Sequence, residues 1–486
     1  MMIHRPDPVS RLASLARRAP FHELASRRLA LPIAAPLALA LAACSGDVVN
    51  MGENPGDDGS FVPPPQSSCA DNPTLQGDVV VRNQAELDAL EGCTAIDGNL
   101  LIELFFDPDL RPLHELTTVR GELGLGGGDL WWSARPSAEE ADALARANAE
   151  SGVLLRSLEG LEQLETVGSL TLMNVAIDSL APLAGLRQLT GYGRLAIYNA
   201  DAITDLTPLA RLEGIQRLSL VANNLTSLDG LQIAEQLVSL GLAGASLSNI
   251  DALSRLREVS GDVSIYGTAL SDLAPLAGLG YVSSLGLGEN RLLETLHGLE
   301  ALEAAETGLY LVNNPVLRDT SALASLLRAE ELIVEGNDSL ERLPELPQLR
   351  TNTIRIRNNA RLQALPTLRG TFNGFGPRAD PEVQLSERGQ VEILLNPALQ
   401  SFSMPREWRD GVFVIIEDNA SLREIDLGDL ESLDLLQIAN NAALDSVRLG
   451  PLDTVDTLEV VENPRLPPAT FDTLRTFERT MSGNAM

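Results

Sequence analysis

The sequence predicts an α/β solenoid, specifically a right-handed parallel β-solenoid of short stacked coils. Three observations favour this fold class. One short motif recurs along most of the 486-residue chain, and its period is nearly constant. Aromatic residues make up only 4% of the chain, which is low for a single compact core. We expect about fifteen repeats of 22–25 residues, with one helix in an insertion.

The motif is an apolar residue, any residue, a second apolar residue, two further residues and often Asn. Clear copies are LYLVNNPVL (309–317), IRIRNNARL (354–362) and LQIANNAAL (436–444). We term the second apolar residue of each copy the marker. The markers are Ile102, Leu125, Leu172, Ile197, Leu220, Leu242, Ile265, Leu287, Leu311, Val334, Ile356, Ile393, Ile416, Ile438 and Val460. Two steps are longer, at 47 and 37 residues, and predict insertions at about 128–152 and 370–388.

The alternation around each marker predicts a short strand with two inward side chains. One coil cannot bury its own apolar face, whereas stacked coils can. Asn stands three positions after the marker in nine of the fifteen repeats. An inward Asn at a turn can bond backbone groups that the turn leaves unpaired, so we prefer a structural role to ligand contact. The predicted structural ladder is Asn223, Asn290, Asn314, Asn337, Asn359, Asn396, Asn419, Asn441 and Asn463.

The period lies within the range of leucine-rich repeats. The segments ITDLTPLARLEGIQRLSL (203–220) and LSDLAPLAGLGYVSSLGL (270–287) resemble the repeats of internalin-type bacterial surface proteins. The phrases IDGNLLI (96–102) and VSGDVSI (259–265) resemble the receptor L-domain, a ligand-binding repeat module. The resemblance covers roughly residues 69–466, of which 99–466 should form the solenoid. It implies a fold more than a function. Because the chain exceeds one L-domain in length, one long solenoid and two fused modules both remain open.

The N-terminus has the features of an export signal. Arginines precede an apolar stretch from Leu29 to Ala43, which is too short to span a membrane. The ending L-A-A-C resembles the lipobox of bacterial lipoproteins, which implies cleavage after residue 43 and lipid attachment to Cys44. An ordinary signal with an incidental cysteine is the alternative. In that family Ser45 favours the outer membrane, and the polar segment 44–68 predicts a disordered acidic Pro/Gly-rich tether.

Two cysteines remain if Cys44 carries lipid. An exported pair 24 residues apart, Cys69 and Cys93, is a plausible disulfide. A metal or redox pair is the weaker alternative, since the spacing is not C-x-x-C and no histidine lies near. The L-domain resemblance implies that Cys69 and Cys93 are bonded within an N-terminal cap at 69–98.

Helices are predicted at both ends and in the first insertion. The N-terminal cap should contain a helix over 84–92 with Asn83 as its N-cap. PATFDTLRTFERT (468–480) predicts a closing cap helix within 467–486. A capping box from Ser137 to Glu140 predicts a helix over 138–150. The nearby Trp131 and Trp132 either plug this insertion against the solenoid or contact a partner.

Composition disfavours several functions. The formal net charge is -31, and the chain after residue 43 holds 30 arginines, no lysine and 65 acidic residues. Such a chain lacks the basic footprint of a nucleic-acid-binding protein. Catalytic and phosphate-binding motifs are missing, and only His114 and His297 follow the signal. We therefore predict no enzyme activity, no cofactor and no metal site.

The concave face of the solenoid is the predicted functional surface. A stripe of small residues before the markers is bordered by Tyr198, Tyr266 and Tyr310, with Arg355 and Arg357 facing outward nearby. Tyr and Arg are enriched at binding hot spots. The alternative is that small residues ease strand curvature and the charges are solvated pairs. We predict a lipid-anchored extracytoplasmic recognition protein for a protein or glycan ligand, touching the membrane only through its lipid. A structural spacer or envelope component without a specific ligand is the alternative.

Overall fold

The computed structural model describes Cys69 and residues 72–103, 108–126, 155–221, 224–366, 389–405, 408 and 412–485. Several sequence predictions lie outside these residues. They are the signal and tether, lipidation of Cys44, the insertion helix over 138–150, the contacts of Trp131 and Trp132, the loop at 370–388, and Asn223.

The described chain forms one 21-stranded parallel sheet and a second sheet of three strands. The large sheet contains β1 (Thr74–Gln76), β2 (Val79–Val81), β3 (Ala95–Asp97), β4 (Leu100–Glu103), β5 (Thr118–Gly126), β6 (Thr166–Met173), β7 (Gln188–Leu189), β8 (Arg194–Tyr198), β9 (Arg217–Val221), β10 (Gln236–Leu237), β11 (Ser239–Ala243), β12 (Glu258–Tyr266), β13 (Tyr281–Gly288), β14 (Ala304–Val312), β15 (Glu331–Glu335), β16 (Thr353–Arg357), β17 (Gly389–Leu394), β19 (Val412–Glu417), β21 (Ser432–Ala439), β23 (Thr454–Val461) and β24 (Arg475–Ser482). The small sheet contains β18 (Ser401–Ser403), β20 (Glu424–Asp426) and β22 (Ser446–Arg448).

Helical structure is sparse, so the helical part of the predicted α/β class is small in the described chain. The one α-helix there is α1 (Gln84–Asp88). Single 3-10 turns lie at Arg111–Leu113, Ala181–Leu183, Thr207–Leu209, Asp251–Leu253, Ala274–Leu276, Ser321–Ser325 and Pro468–Phe471. Most of these turns lie on the return side of the coils, opposite the large sheet, and the small sheet takes over that side after residue 400.

The markers confirm the predicted parallel solenoid. Each marker pairs in register with the next, from Ile102 with Leu125 to Ile438 with Val460. All are at most 1% exposed. Burial of such an aliphatic side chain contributes about 1.5–3 kcal/mol. The column continues beyond the fifteen predicted positions, to Val81 at one end and Met481 at the other.

The long sequence steps leave the register intact. Leu125 pairs directly with Leu172, and Ile356 with Ile393. The strand pairings continue without a break from β2 to β24, and the buried leucines form one continuous cluster. The described chain is therefore one long solenoid, as each coil packs on its neighbours.

The N-terminal coil is closed by a disulfide and a short helix. Cys69 and Cys93 are bonded, with Cα atoms 5.0 Å apart. Asn83 caps α1, and its side chain accepts a hydrogen bond from the N–H of Glu86 at 3.1 Å. The helix ends at Asp88 rather than at the predicted residue 92, and the chain then turns through Gly92 at φ +81°.

The predicted C-terminal helix over 468–480 is wrong. Only Pro468–Phe471 forms a 3-10 turn, and Arg475–Ser482 forms strand β24 in parallel with β23. Pairing supplies partners for backbone groups on the edge of β23, which a helix would leave unpaired. Arg479 takes the position of an inward leucine, opposite Leu458, and its guanidinium lies 3.3 Å from Asp472. A polar end to the stack is what a terminal coil requires.

Candidate functional site

The candidate site is the outer face of the large sheet, meaning the side opposite the leucine core. Along each strand the side chains alternate between core and outer face. The central outward position lies one residue before each marker. From β5 to β13 this position holds small, buried residues: Gly124, Thr171, Ala196, Ser219, Gly241, Ser264 and Gly286.

The outer face changes character between β13 and β14. From β14 to β21 the same central position holds large side chains: Tyr310, Ile333, Arg355, Glu392, Ile415 and Gln437. All are half-buried except Glu392, which is buried. We call this set the mixed patch, because apolar, aromatic and charged groups alternate across neighbouring strands.

Tyr266 is less exposed to solvent, and so less accessible to a ligand, than the sequence indicates. It is 4% exposed and packs with Val221, Ala243 and the half-buried Tyr198. A Cβ atom added to Gly286 would lie 3.1 Å from the Tyr266 hydroxyl. The ring thus covers the neighbouring glycine strand. Burial, and secondarily the charge of Glu289, raises the pKa of Tyr266 to about 12.

Tyr310 is half-buried and held by a neighbouring carboxylate. Its hydroxyl donates a hydrogen bond to Oε2 of Glu331 at 2.9 Å. Burial, followed by the charge of Glu331, raises the pKa of Tyr310. The two tyrosines therefore differ, since the hydroxyl of Tyr266 is buried without a hydrogen-bond partner.

Arg355 and Arg357 both turn toward Glu392 on the adjacent strand. Arg357 Nη2 contacts Oε2 of Glu392, and Arg355 Nε lies 3.8 Å from Oε1. Arg355 Nη2 also donates to Gln390 Oε1 at 3.0 Å. The arginine side chains remain 30% and 33% exposed, against 9% for Glu392. Burial lowers the pKa of Arg357. One buried carboxylate thus orients two accessible guanidinium groups.

The asparagines behind the sheet form a continuous hydrogen-bonded ladder from Asn290 onward. Oδ1 of each one accepts from the backbone N–H of the preceding one, as in Asn314 N to Asn337 Oδ1 at 3.1 Å. Nδ2 donates to the carbonyl of the preceding marker, as in Asn337 Nδ2 to Leu311 O at 2.9 Å. The eight described predicted members are at most 1% exposed, so they face no ligand.

The ladder has two members that the motif does not reveal. Thr268 donates to Asn290 Oδ1 from its N–H at 3.0 Å and from its hydroxyl at 2.7 Å. Asn484 accepts from the N–H of Asn463 at 3.1 Å and donates to Val460 O at 2.7 Å. Thr268 lies three residues after the marker Ile265, and Asn484 lies three residues after Met481, so both occupy the position of the ladder.

The two histidines lie apart, on separate turns. His114 Nδ1 lies 3.1 Å from Arg111 O, and His297 Nδ1 lies 2.8 Å from Glu300 Oε1. That contact with Glu300 raises the pKa of His297. Among the described residues, no group of three His, Cys, Asp or Glu side chains is placed to hold a metal ion. No helix in the same residues is long and apolar enough to cross a membrane.

Comparison with known proteins gives structural likeness only. No protein-family model and no curated protein matches the sequence. A TLR13–ssRNA13 complex is 15% identical with a TM-score of 0.30, over 74% of this chain and 50% of that one, so the chain spans half of that protein. An internalin (InlF) from Listeria monocytogenes is 16% identical with a TM-score of 0.27, over 70% of this chain and 94% of that one. The functional domain of InlJ from the same organism is 11% identical with a TM-score of 0.25, over 83% and 72%.

These values carry no conclusion about function, and the fold rests on the strand pairing within the chain itself. In-register markers, short 3-10 turns on the return side and the buried asparagine ladder together define the repeat. The described chain is a parallel β-solenoid of leucine-rich-type repeats.

Proposed function

We propose that this protein is a non-enzymatic recognition protein that binds a protein partner through the mixed patch on its outer face. The observation that carries the proposal is the change from small buried residues to large half-buried ones between Gly286 and Tyr310. Hot spots are enriched in tyrosine and arginine, lie near the centre of an interface and are surrounded by contacts that exclude water. Tyr310, Ile333, Arg355 and Ile415 supply that combination on neighbouring strands.

The arrangement of charge supports a binding role. Arg355 and Arg357 are held by Glu392, so their guanidinium groups lose little conformational freedom when a partner binds. Glu331 and Glu335, on the adjacent strand, add acceptors at the border of the patch. A partner with apolar groups flanked by carboxylates fits this surface.

We further propose export and lipid attachment at Cys44. The Cys69–Cys93 disulfide supports an oxidising compartment, since such bonds are rare in reducing ones. A Cys44→Ala variant should lose incorporation of labelled fatty acid and leave the membrane fraction. Unchanged fatty-acid labelling in that variant would remove the anchor from the proposal.

Site-specific photo-crosslinking tests the binding role. A photoreactive residue at Ile333 in the full chain, irradiated on intact cells, should give a discrete crosslinked species identifiable by mass spectrometry. The control position is Ala301, which is exposed in the turn before β14. Arg357→Gln, in a chain carrying the probe at Ile333, should reduce the yield severalfold.

The structural-spacer alternative makes the opposite forecast. It expects no discrete product from Ile333, or the same products from Ile333 and Ala301. Either result would contradict binding through the mixed patch and support the spacer role.

A further inference from the structure

An unneutralised pair of arginines lies on the outer face, in the half with small residues. Arg194 of β8 pairs in register with Arg217 of β9. Adjacent strands are about 4.8 Å apart, and like charges placed side by side on a sheet are destabilising. Within the described residues neither arginine forms an ion pair with an acid, and Arg217 contacts Tyr192 instead.

The surroundings leave this pair positive. The equivalent position on the flanking strands holds Ser169 and Ser239. The next acids in the row, Glu122 and Asp262, are two strands away on either side, about 10 Å from the nearer arginine backbone. The two arginines are thus adjacent to each other in this row, with a serine rather than an acid on the strand at either side. A local cationic spot thus exists on a chain of net charge -31.

An aromatic ring lies against one of the two arginines. Tyr192 is 51% exposed, and the Arg217 guanidinium carbon lies 5.8 Å from its ring centroid. Arg217 Nη1 donates to the carbonyl of Tyr192 at 2.9 Å. The following residue, Gly193, has φ +58°, and a Cβ there would lie 2.5 Å from Gly214 O. The tight turn at Gly193 therefore leaves Tyr192 at the surface, next to Arg217.

A flat strip runs beside the arginines. Its floor is Ala196, Ser219 and Gly241, all buried and small. Tyr198 lies on the far side of the strip, four residues along β8 from Arg194 and about 13 Å away. The strip has cations on one side, an aromatic ring on the other and no protruding side chain between them.

We propose that Arg194, Arg217 and Tyr192 bind a carboxylate-bearing saccharide. Two guanidinium groups match the geometry of a carboxylate. The apolar C–H face of a pyranose packs on an aromatic ring, and its flat outline suits the small-residue floor. An extended peptide adds instead to a sheet edge or fills side-chain pockets, and this strip lies mid-sheet with a smooth floor. The site is separate from the mixed patch and does not depend on it.

Calorimetric titration of the purified full-length chain with trigalacturonate tests the proposal. We expect binding that weakens at least tenfold in Arg194→Gln. Tyr192→Ala should weaken it severalfold, while Tyr192→Phe retains it. The matched control is Arg211→Gln, which removes an exposed arginine from the turn before β9 and should leave the affinity unchanged. Circular dichroism of each variant confirms the fold.

Neutral maltotriose and triglutamate complete the test, and neither should bind measurably. The proposal is overturned if trigalacturonate does not bind, or if Arg194→Gln and Arg211→Gln behave alike. It is also overturned if triglutamate binds as well as the saccharide, which would indicate an acidic-peptide site. Crosslinking from Ile333 reports on the other patch, so the two proposals fail separately.

Discussion

The ring of Tyr266 lies directly over Gly288 in the next coil, and a Cβ atom on Gly288 would come 2.1 Å from Cε1 of Tyr266. This contact explains why a tyrosine on the outer face is 4% exposed. Absence of a side chain on one strand makes room for a large one on its neighbour. Tyr266 and Gly288 therefore pack against each other as part of the outer face of the sheet.

Gly288→Ala should destabilise the protein by about 1–3 kcal/mol, because the added methyl group overpacks the contact. In a Tyr266→Ala background the same change should cost much less. Urea unfolding of the double-mutant cycle measures the coupling. Gly286→Ala is the milder control, since its Cβ would lie 3.1 Å from the nearest Tyr266 atom. Equal costs with and without the Tyr266 ring would contradict this account.

Stability should fall as the pH rises from about 10 to about 12. The pKa of Tyr266 is raised to about 12 by burial, whereas an unfolded tyrosine titrates near ~10. Between these two pH values the folded state therefore keeps a proton that the unfolded state loses, which lowers the free energy of unfolding. Below about pH 10 Tyr266 is protonated in both states, so its ionisation does not change the free energy of unfolding. Tyr266→Phe should flatten the slope of unfolding free energy against pH. Part of the slope should remain, because the pKa of Tyr310 is raised as well. An unchanged slope would contradict the burial of Tyr266.

Asn337→Ala should cost about 3 kcal/mol, because it leaves buried groups of Leu311 and Asn314 without partners. Asn484→Ala at the end of the ladder should cost about 1 kcal/mol, since water can reach the part-buried groups that it frees. Chemical denaturation gives both values. A terminal variant that is as damaging as the interior one would show that burial does not set the cost.

Replacement of Cys69 and Cys93 together by alanine should cost about 3 kcal/mol, the value for a loop of this length. The loss should be local, because each coil contacts only its neighbours. Hydrogen exchange should quicken in β2 and β4 and stay slow in β21 and β23. Uniform loss of protection along the chain would indicate a solenoid that unfolds as one unit.

Glu392→Gln should destabilise the protein by about 2 kcal/mol, since two partly buried arginines would lose their shared counter-charge. Glu417→Gln, on the same face, should instead stabilise the protein. Burial, then repulsion from Asp418 and Glu459, raises the pKa of Glu417, so its neutral form is favoured. Thermal melts at neutral pH compare the two variants. A stabilising Glu392→Gln would show that the arginines do not need that carboxylate.

The sheet was predictable because its information is periodic. An inward aliphatic residue every 22–25 positions fixes the register, and Ile102 to Val460 all take their predicted places. The strand that ends the stack, β24, was not predictable in this way. In β24, Arg479 and Met481 stand where the pattern demands leucines, and local helix propensity is outweighed by pairing with β23.

The outer face was less predictable than the core. The motif specifies that Tyr198, Tyr266 and Tyr310 point outward, but not where their rings lie. Gly288 decides the exposure of Tyr266, and Glu331 decides the partner of Tyr310. Both belong to neighbouring strands, so these contacts depend on stacking between coils. Tyr192 and Arg194 precede the motif of their repeat, and their pairing with Arg217 is visible only in the register.

Asn396, Asn419, Asn441 and Asn463 hold equivalent places at steps of 23, 22 and 22 residues. Each bonds to the coil before and the coil after in the same way. Removal or duplication of one such unit in the gene would give every remaining asparagine an equivalent partner. The length of this protein can therefore evolve by whole coils, while the outer face of the coils on either side is inherited unchanged.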